Sequence, residues 1–207
     1  MNVLAFDTCL DKTYISLYSN KNICNKVINS NENNYHSAYL ISSIVNLLKE
    51  NNLTPNDIDY FATDIGPGSF TGIRACVTVA RMLAQQLDKK VIGVSSLEIL
   101  SKISGEEALV LLDARKNKAY VYDNEIKGAI NIEEALQLAK NRVVVTDNSL
   151  YEMIKPLAKE TISYQNNNYP LGEILLNVSL KRINDEKSIV WQELKPLYIQ
   201  PPPIFGR

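Results

Sequence analysis

Three places in the sequence hold residue types whose spacing could support chemistry. The first is Gly66-Pro67-Gly68-Ser69-Phe70-Thr71-Gly72-Ile73-Arg74, where three glycines, a proline and two hydroxyl residues stand ahead of an apolar run. Glycines let a backbone come close to a bound group, and amides at a helix N-terminus can hold an anion. An anion-contact turn and a rigid structural or partner-contact turn are both open readings of this segment. It lacks the lysine and spacing of a phosphate loop, and its glycine spacing is not the dinucleotide fingerprint. The second place is Asp7-Thr8, a polar pair closing the apolar run Val3 to Phe6. The third is His36, the single histidine of the chain. A Ser-His-Asp hydrolase would have to recruit that histidine, and Ser69 sits in no Gly-x-Ser-x-Gly elbow. Asp113 and Arg115 could form a local ion pair, but solvated surface is the favoured reading. Cys9, Cys24 and Cys76 are odd in number and far apart. They make neither a disulfide framework nor a zinc-ligand spacing, and read as buried small hydrophobes or idle thiols.

The elements that must position these residues follow from periodicity and turn chemistry. Val3 to Phe6, Thr13 to Tyr18 and Ile23 to Ile28 predict a three-strand meander, with Asp11-Lys12 and Asn20-Lys21-Asn22 as its turns. A helix is expected from about His36 to Asn51, with Asn33 or Asn34 as N-cap. Its apolar residues Leu40, Ile41, Ile44, Val45, Leu47 and Leu48 make a face wider than one stripe. Ile58 to Ile65 predicts a strand leading into the glycine segment. Gly72 to Leu87 predicts a helix capped by Ser69 or Thr71, and Val91 to Val94 another strand. The pattern is fainter after a boundary near Lys102 to Glu106. Strands are expected at Ala108 to Leu112, Ala119 to Tyr122 and Val143 to Thr146. Helices are expected at Glu133 to Lys140, Ser149 to Ala158 and Leu171 to Ile183. Pro201-Pro202-Pro203 gives the end an extended path. No repeat is visible residue by residue.

Composition removes several classes of function. In 207 residues, 22 Lys and Arg nearly cancel 23 Asp and Glu. There is thus no global positive field of the kind a stand-alone nucleic-acid binder carries. No apolar run approaches the length of a membrane span, and Asp7 interrupts the apolar start, so a cytoplasmic chain without membrane attachment is expected.

The nine-residue string Gly66 to Arg74, placed between a strand and a helix, closely resembles the signature of the TsaB (YeaZ) family. Asp7-Thr8, the meander, and His36-Ser37 opening the first helix support the resemblance, which covers about the first hundred residues well and the rest loosely. The resemblance implies an α/β fold of the actin-like, sugar-kinase-like (ribonuclease H-like) type. It implies two subdomains, 1–103 carrying the glycine segment and a reduced 104–207. It further implies a non-catalytic scaffold subunit that binds a TsaD-like catalytic subunit and is required for threonylcarbamoyl transfer to the tRNA adenosine next to the anticodon. A TsaE-like ATPase is a further expected partner, and tRNA is met only through the complex. The chain would carry no cofactor, metal or catalytic residue of its own, with ATP or ADP and metal on the partner or at the shared interface. Homodimerisation in the absence of the partner stays open.

Departures from the catalytic relatives support that reading. TsaD-like proteins hold a metal with two histidines four apart on the first helix, whereas four residues after His36 stands Leu40. His36 is then a helix-start residue or a partner contact. After Asp7-Thr8 come Cys9-Leu10, with no glycine to admit a phosphate. After Gly105 the glycines are the isolated Gly128, Gly172 and Gly206, with no adenine-side pair. Between Ile73 and Leu87 the only charges are Arg74 and Arg81, and Ala75, Cys76, Thr78, Ala80 and Ala84 are small on several faces. Such a helix must be covered on both sides. The expected partner interface or anion contact therefore comprises His36, Leu40, Ile44, Gly66, Pro67, Gly68, Ser69, Phe70, Thr71, Gly72, Arg74 and Ala80, with Ala80→Glu as the expected way to break the complex. The alternative is an actin-like ATPase or small-molecule kinase using Asp7-Thr8 and the glycine segment. Old naming in the superfamily adds a metal-dependent peptidase. The family's Pro-x-Tyr-Leu-Arg element near the end stands here as Pro196-Leu197-Tyr198-Ile199-Gln200.

Overall fold

The computed structural model describes residues 1–29, 36–105 and 108–200, so Asn33, Asn34 and the proline run at 201–203 lie outside the described residues. By packing, the described chain divides into one compact unit, Met1–Ser96 with Pro170–Pro196, and a second, Leu97–Tyr169 with the segment that starts at Leu197.

The first unit opens with β1 (Val3–Asp7), β2 (Thr13–Ser19) and β3 (Asn22–Ile28), an antiparallel meander. Its second turn is tight because Asn20 and Lys21 both take left-handed φ values, 51° and 65°. This is the conformation that matches the twist of a hairpin. A 3-10 turn, His36–Tyr39, leads into α1 (Leu40–Glu50), followed by β4 (Tyr60–Asp64), α2 (Phe70–Leu87) and β5 (Lys90–Val94). β4 pairs parallel to both β1 and β5, giving the order β3-β2-β1-β4-β5. The central strand β1 is buried at every residue, as an unbroken apolar run requires when both sheet faces are covered. Leu4, Phe6, Ile15, Leu17 and Phe61 pack with Leu40, Ile44, Leu47, Leu48, Ile73, Val77 and Ala80 of α1 and α2.

The opposite face is covered by a helix from far along the chain, α6 (Leu171–Asn184), which packs on β1, β2 and β5. Burying Leu171, Leu175 and Leu176 contributes about 2 kcal/mol each. Close contact needs Gly172, where a Cβ would stand 2.6 Å from Ser16 Oγ. The helix expected at Leu171 to Ile183 therefore belongs with the first unit, whereas the expected division put it in 104–207. Reading along the chain assigns an element to its sequence neighbours, while the apolar face of α6 is matched to the open face of the first sheet. Beyond it, Ile189 pairs with Val91 as an isolated antiparallel bridge, and the Arg81 guanidinium lies 5.4 Å from the Trp191 ring centre.

The second unit begins within α3 (Ser96–Ser101). It contains β6 (Leu109–Asp113), β7 (Lys118–Asp123), β8 (Glu125–Asn131), α4 (Ile132–Ala139), β9 (Val143–Thr146), α5 (Asn148–Ile154) and β10 (Glu160–Ser163). Its sheet runs β8-β7-β6-β9-β10, the same winding as the first: a meander, then two parallel strands beside the strand that opened it. Its helices α4 and α5 have 8 and 7 residues against 11 and 18 for α1 and α2, which is the sense in which this unit is reduced. The edge strands β8 and β10 escape the sequence pattern. β8 is largely exposed and carries a Glu125–Lys127 ion pair at 2.6 Å, and β10 is only four residues long.

Candidate functional site

The C-terminal ends of parallel strands β1 and β4, paired through Phe6 and Thr63, bring Asp7 and Asp64 to one edge of the first sheet. Both carboxylates are buried. Asp7 Oδ1 accepts the Cys9 amide at 2.5 Å, closing a local turn. Thr8 Oγ1 donates to the Gly72 carbonyl at 2.8 Å. Asp64 Oδ1 accepts the Gly66 amide at 2.7 Å, and the Ser96 hydroxyl lies 2.8 Å from Oδ1 and 2.6 Å from Oδ2. Desolvation raises the Asp7 pKa well above the carboxylate range, and the neighbouring Asp64 charge adds to the rise. Burial likewise raises Asp64, to about 6, against the opposing pull of the Ser96 and Gly66 donors.

Two sulfurs join these carboxylates. Cys9 lies just past β1, and Cys76 one helical turn beyond Gly72 on α2. The Thr8 amide donates to Cys76 Sγ at 3.1 Å, and Thr8 Oγ1 is also 3.1 Å from that sulfur. Cys9 Sγ donates to the Asp64 carbonyl at 3.6 Å. Burial, with Cys76 beside it, pushes the Cys9 thiol up. At Cys76 burial acts in the same sense but is outweighed by donors from Cys9, Thr63 and Thr8, so it is the more acidic thiol of the pair. Asp7, Cys9 and Cys76 place one donor atom each within 4.8 Å of one another.

The glycine segment clasps this cluster. A Cβ at Gly72 would overlap the Thr8 carbonyl, and one at Gly68 the Cys9 carbonyl. The Ser69 amide donates to the Cys9 carbonyl at 2.7 Å, and Ser69 Oγ caps α2 by accepting the Gly72 amide at 3.2 Å. The Ile73 amide is taken by the Ser69 carbonyl at 2.8 Å, and the Gly66 carbonyl accepts the Ser96 amide at 3.0 Å. The Gly66-Pro67 peptide bond is cis. Several amides that an anion site would aim outward thus hold the Thr8-Cys9 backbone and the start of α2. Of the two open readings for the segment, this geometry matches the rigid turn.

The remaining expected site residues separate into two groups. Gly68, Ser69, Thr71 and Arg74 are exposed and Phe70 is half-buried, with the Arg74 guanidinium 3.9 Å from the Phe70 ring centre. His36 begins the 3-10 turn ahead of α1. Gly66, Pro67 and Gly72 are buried in the clasp. Leu40, Ile44 and Ala80 point into the sheet and are core, with Ala80 fully buried, so they present no surface to a partner. The apolar side chains α1 and α2 leave outward are Ile41, Val45 and Met82. A face six apolar residues wide shows that part of α1 is covered, but the sheet chooses which part. Asp113 and Arg115 are both exposed, in keeping with the favoured reading of a solvated turn, and Asp113 Oδ1 accepts the Arg115 backbone amide at 2.7 Å.

Asp64, Ser96 and the Cys9–Cys76 contact were not singled out by sequence. For Asp64 a signal existed: a charged residue ends a largely apolar strand two positions before the glycine segment. For the thiols none did, because 67 positions separate them and the pairing of β1 with the face of α2 makes the contact.

Comparison with known proteins fits this architecture. The family model described as TsaD, tRNA N6-adenosine threonylcarbamoyltransferase, matches residues 22–181. The chain is 25% identical over 201 residues to the tRNA threonylcarbamoyladenosine biosynthesis protein TsaB of Buchnera aphidicola subsp. Schizaphis graminum, covering 95% of this chain and 87% of the relative. It is 23% identical to the TsaB of Escherichia coli K12, covering 97% and 95%, and 32% identical to that of Bacillus subtilis over 123 residues, 58% of this chain and 53% of the relative. Among solved structures, YeaZ from Pseudomonas aeruginosa superposes with a TM-score of 0.77 at 20% identity over 95% of this chain and 99% of that one. An uncharacterised protein similar to peptidase YEAZ gives 0.80 at 21%, over 96% and 99%. The expected actin-like α/β fold is the fold observed, and the chain belongs to the TsaD domain family and, within it, to the TsaB (YeaZ) family.

Proposed function

We propose that this protein acts in the formation of threonylcarbamoyladenosine in tRNA as an accessory subunit, docking a TsaD-like catalytic subunit on the outer side of α1 and α2. Membership of the TsaB family and the TsaD-type domain support a role in that modification. The observation that carries the docking surface is the exposure of Ile41 and Val45 on α1 and of Met82 on α2. These apolar side chains lie on two helices whose inner faces are already satisfied by one core. Beside Met82 the outer side of α2 carries Thr78 and Ala75, residues short enough to admit a closely packed partner helix. The partner supplies the transfer chemistry in this reading, together with any ATP, ADP and metal the reaction uses. A TsaE-like ATPase joins the complex, and tRNA is bound by the assembly rather than by this near-neutral chain alone. When the partner is missing, the same surface can pair with a second copy.

Size-exclusion chromatography of the chain with the TsaD-like subunit of its own organism, at micromolar concentration, tests the docking. A stable complex is expected, and Ile41→Glu with Val45→Glu should abolish it while leaving circular dichroism and thermal unfolding unchanged. A complex that survives this pair moves the interface elsewhere, and no complex at all removes the reading. A charge at Ala80 would not serve, because it would enter the core. Calorimetric titration with magnesium-ATP addresses the kinase-like alternative, and tight binding by the isolated chain would favour it.

A further inference from the structure

Asp7, Cys9 and Cys76 are not used by the docking reading. Asp7 and Cys9 flank Thr8 at the end of β1, and α2 brings Cys76 against them, so one carboxylate oxygen and two sulfurs gather with all three residues buried. A pair of thiols favours zinc and other thiophilic ions over magnesium or calcium, and adding a carboxylate suits zinc in particular. A second observation points to a ligand independently of the clustering. Asp7 Oδ1 is engaged by the Cys9 amide, but Asp7 Oδ2 is buried and finds no hydrogen-bond partner among the described residues. Buried acceptors are rarely left so.

We propose that the Asp7 carboxylate, Cys9 Sγ and Cys76 Sγ form a binding site for one zinc ion, locking the end of β1 to α2 beneath the glycine clasp. The sequence-level expectation of no metal rested on the missing histidine pair and on sequence spacing, neither of which describes this cluster. The geometry is close to what zinc needs. With Zn–S near 2.3 Å and Zn–O near 2.0 Å, tetrahedral donors stand roughly 3.3–3.8 Å apart. Atoms already within 4.8 Å of one another must draw in by no more than about 1.5 Å. The Thr8 amide, which donates to Cys76 Sγ, holds that sulfur in place. A water or the Asp64 carboxylate completes four-coordination. Loading is a proton exchange: the ion enters as the two thiols, and the Asp7 carboxyl where it is protonated, release their protons to solvent. No oxidation is involved.

Cobalt(II) titration of the full-length, reduced, chelator-treated chain tests the site. One equivalent is expected to bring up thiolate-to-cobalt charge-transfer absorption with the intense visible bands of tetrahedral cobalt, and stoichiometric zinc should bleach both. Cys76→Ala should remove most of the charge-transfer intensity, and Asp7→Asn should weaken zinc binding by about tenfold or more. Cys24→Ala, which alters a thiol bonded instead to Asn51, should change nothing. Should the cluster variants fail to fold, the unaltered chain still decides the matter. Zinc should slow alkylation of Cys9 and Cys76, read by peptide mass spectrometry, and leave Cys24 unaffected. Absent charge-transfer absorption, absorption that survives Cys76→Ala, or alkylation indifferent to zinc would each overturn the proposal and leave the two thiols as ordinary buried donors.

Discussion

The two sheets wind identically, yet the same dipeptide has opposite fates in them. Thr63-Asp64 ends β4 and Thr146-Asp147 follows the equivalent β9 to its end. Thr63 Oγ1 donates to the Phe6 carbonyl at 3.0 Å and Thr146 Oγ1 to the Leu111 carbonyl at 2.7 Å, each reaching the residue paired with it on the neighbouring parallel strand. The aspartates then part. Asp147 starts a helix directly: Oδ1 caps α5 through the Leu150 amide at 3.1 Å, and Oδ2 accepts the Asp113 amide at 2.7 Å. In the first unit five residues, Ile65 to Ser69, stand between Asp64 and α2, and Ser69 takes over the capping. Freed from the helix, Asp64 is drawn beneath the glycine turn to meet Ser96 and Gly66. A short insertion between strand and helix is enough to turn a capping residue into part of a buried cluster.

The largest expected effect comes from filling that insertion. Gly72→Ala drives a methyl group into the Thr8 carbonyl and should cost about 3 kcal/mol in urea denaturation. A loss below about 1 kcal/mol would show that the clasp is loose and the comparison overstated. Next, Ser96→Ala strips a buried carboxylate of its hydroxyl donor and should cost about 2 kcal/mol. Asp147→Ala, which loses a partly exposed cap, should cost about 1 kcal/mol. Equal losses would erase the distinction between the two aspartates. Thr63→Val and Thr146→Val should then match one another at about 1 kcal/mol each, because both remove one buried hydroxyl donor. Clearly unequal values would deny that the two threonines are equivalent.

The smallest effect is a pH slope. Burial raises the Asp147 pKa against the pull of the Asp113 and Leu150 amides. The folded chain therefore keeps this proton to higher pH than the unfolded chain does. The resulting stability share is complete below the ordinary carboxylate range and lost as pH rises through the raised value. Asp147→Asn keeps the cap and should flatten that part of the urea midpoint against pH. An unchanged profile would place the titration elsewhere.

Much of the first unit was legible in the sequence because its signals are local. Asn20-Lys21 gives the hairpin its left-handed turn, Ser69 caps α2, and the apolar runs of β1 and β5 are buried strands. The candidate site was legible only at its rim. Leu40, Ile44 and Ala80 read as a surface because periodicity marks apolar residues without saying which side meets the core. Ile41, Val45 and Met82 were left outside once the sheet had taken the rest. The second half gave fainter signals because its helices are short and its edge strands β8 and β10 lack a strong alternating face.

Sequence by itself determined the order of most strands and helices, the glycine clasp as a distinctive element, and the family. These depend on residues near one another in the chain, where turn chemistry, capping and hydrophobic period act. Tertiary structure alone decided that α6 returns to the first sheet, that both sheets share one winding around a Thr-Asp pair, and that Asp7, Cys9, Asp64, Cys76 and Ser96 meet. Such contacts depend on which apolar faces find each other, and no spacing along the chain encodes that choice.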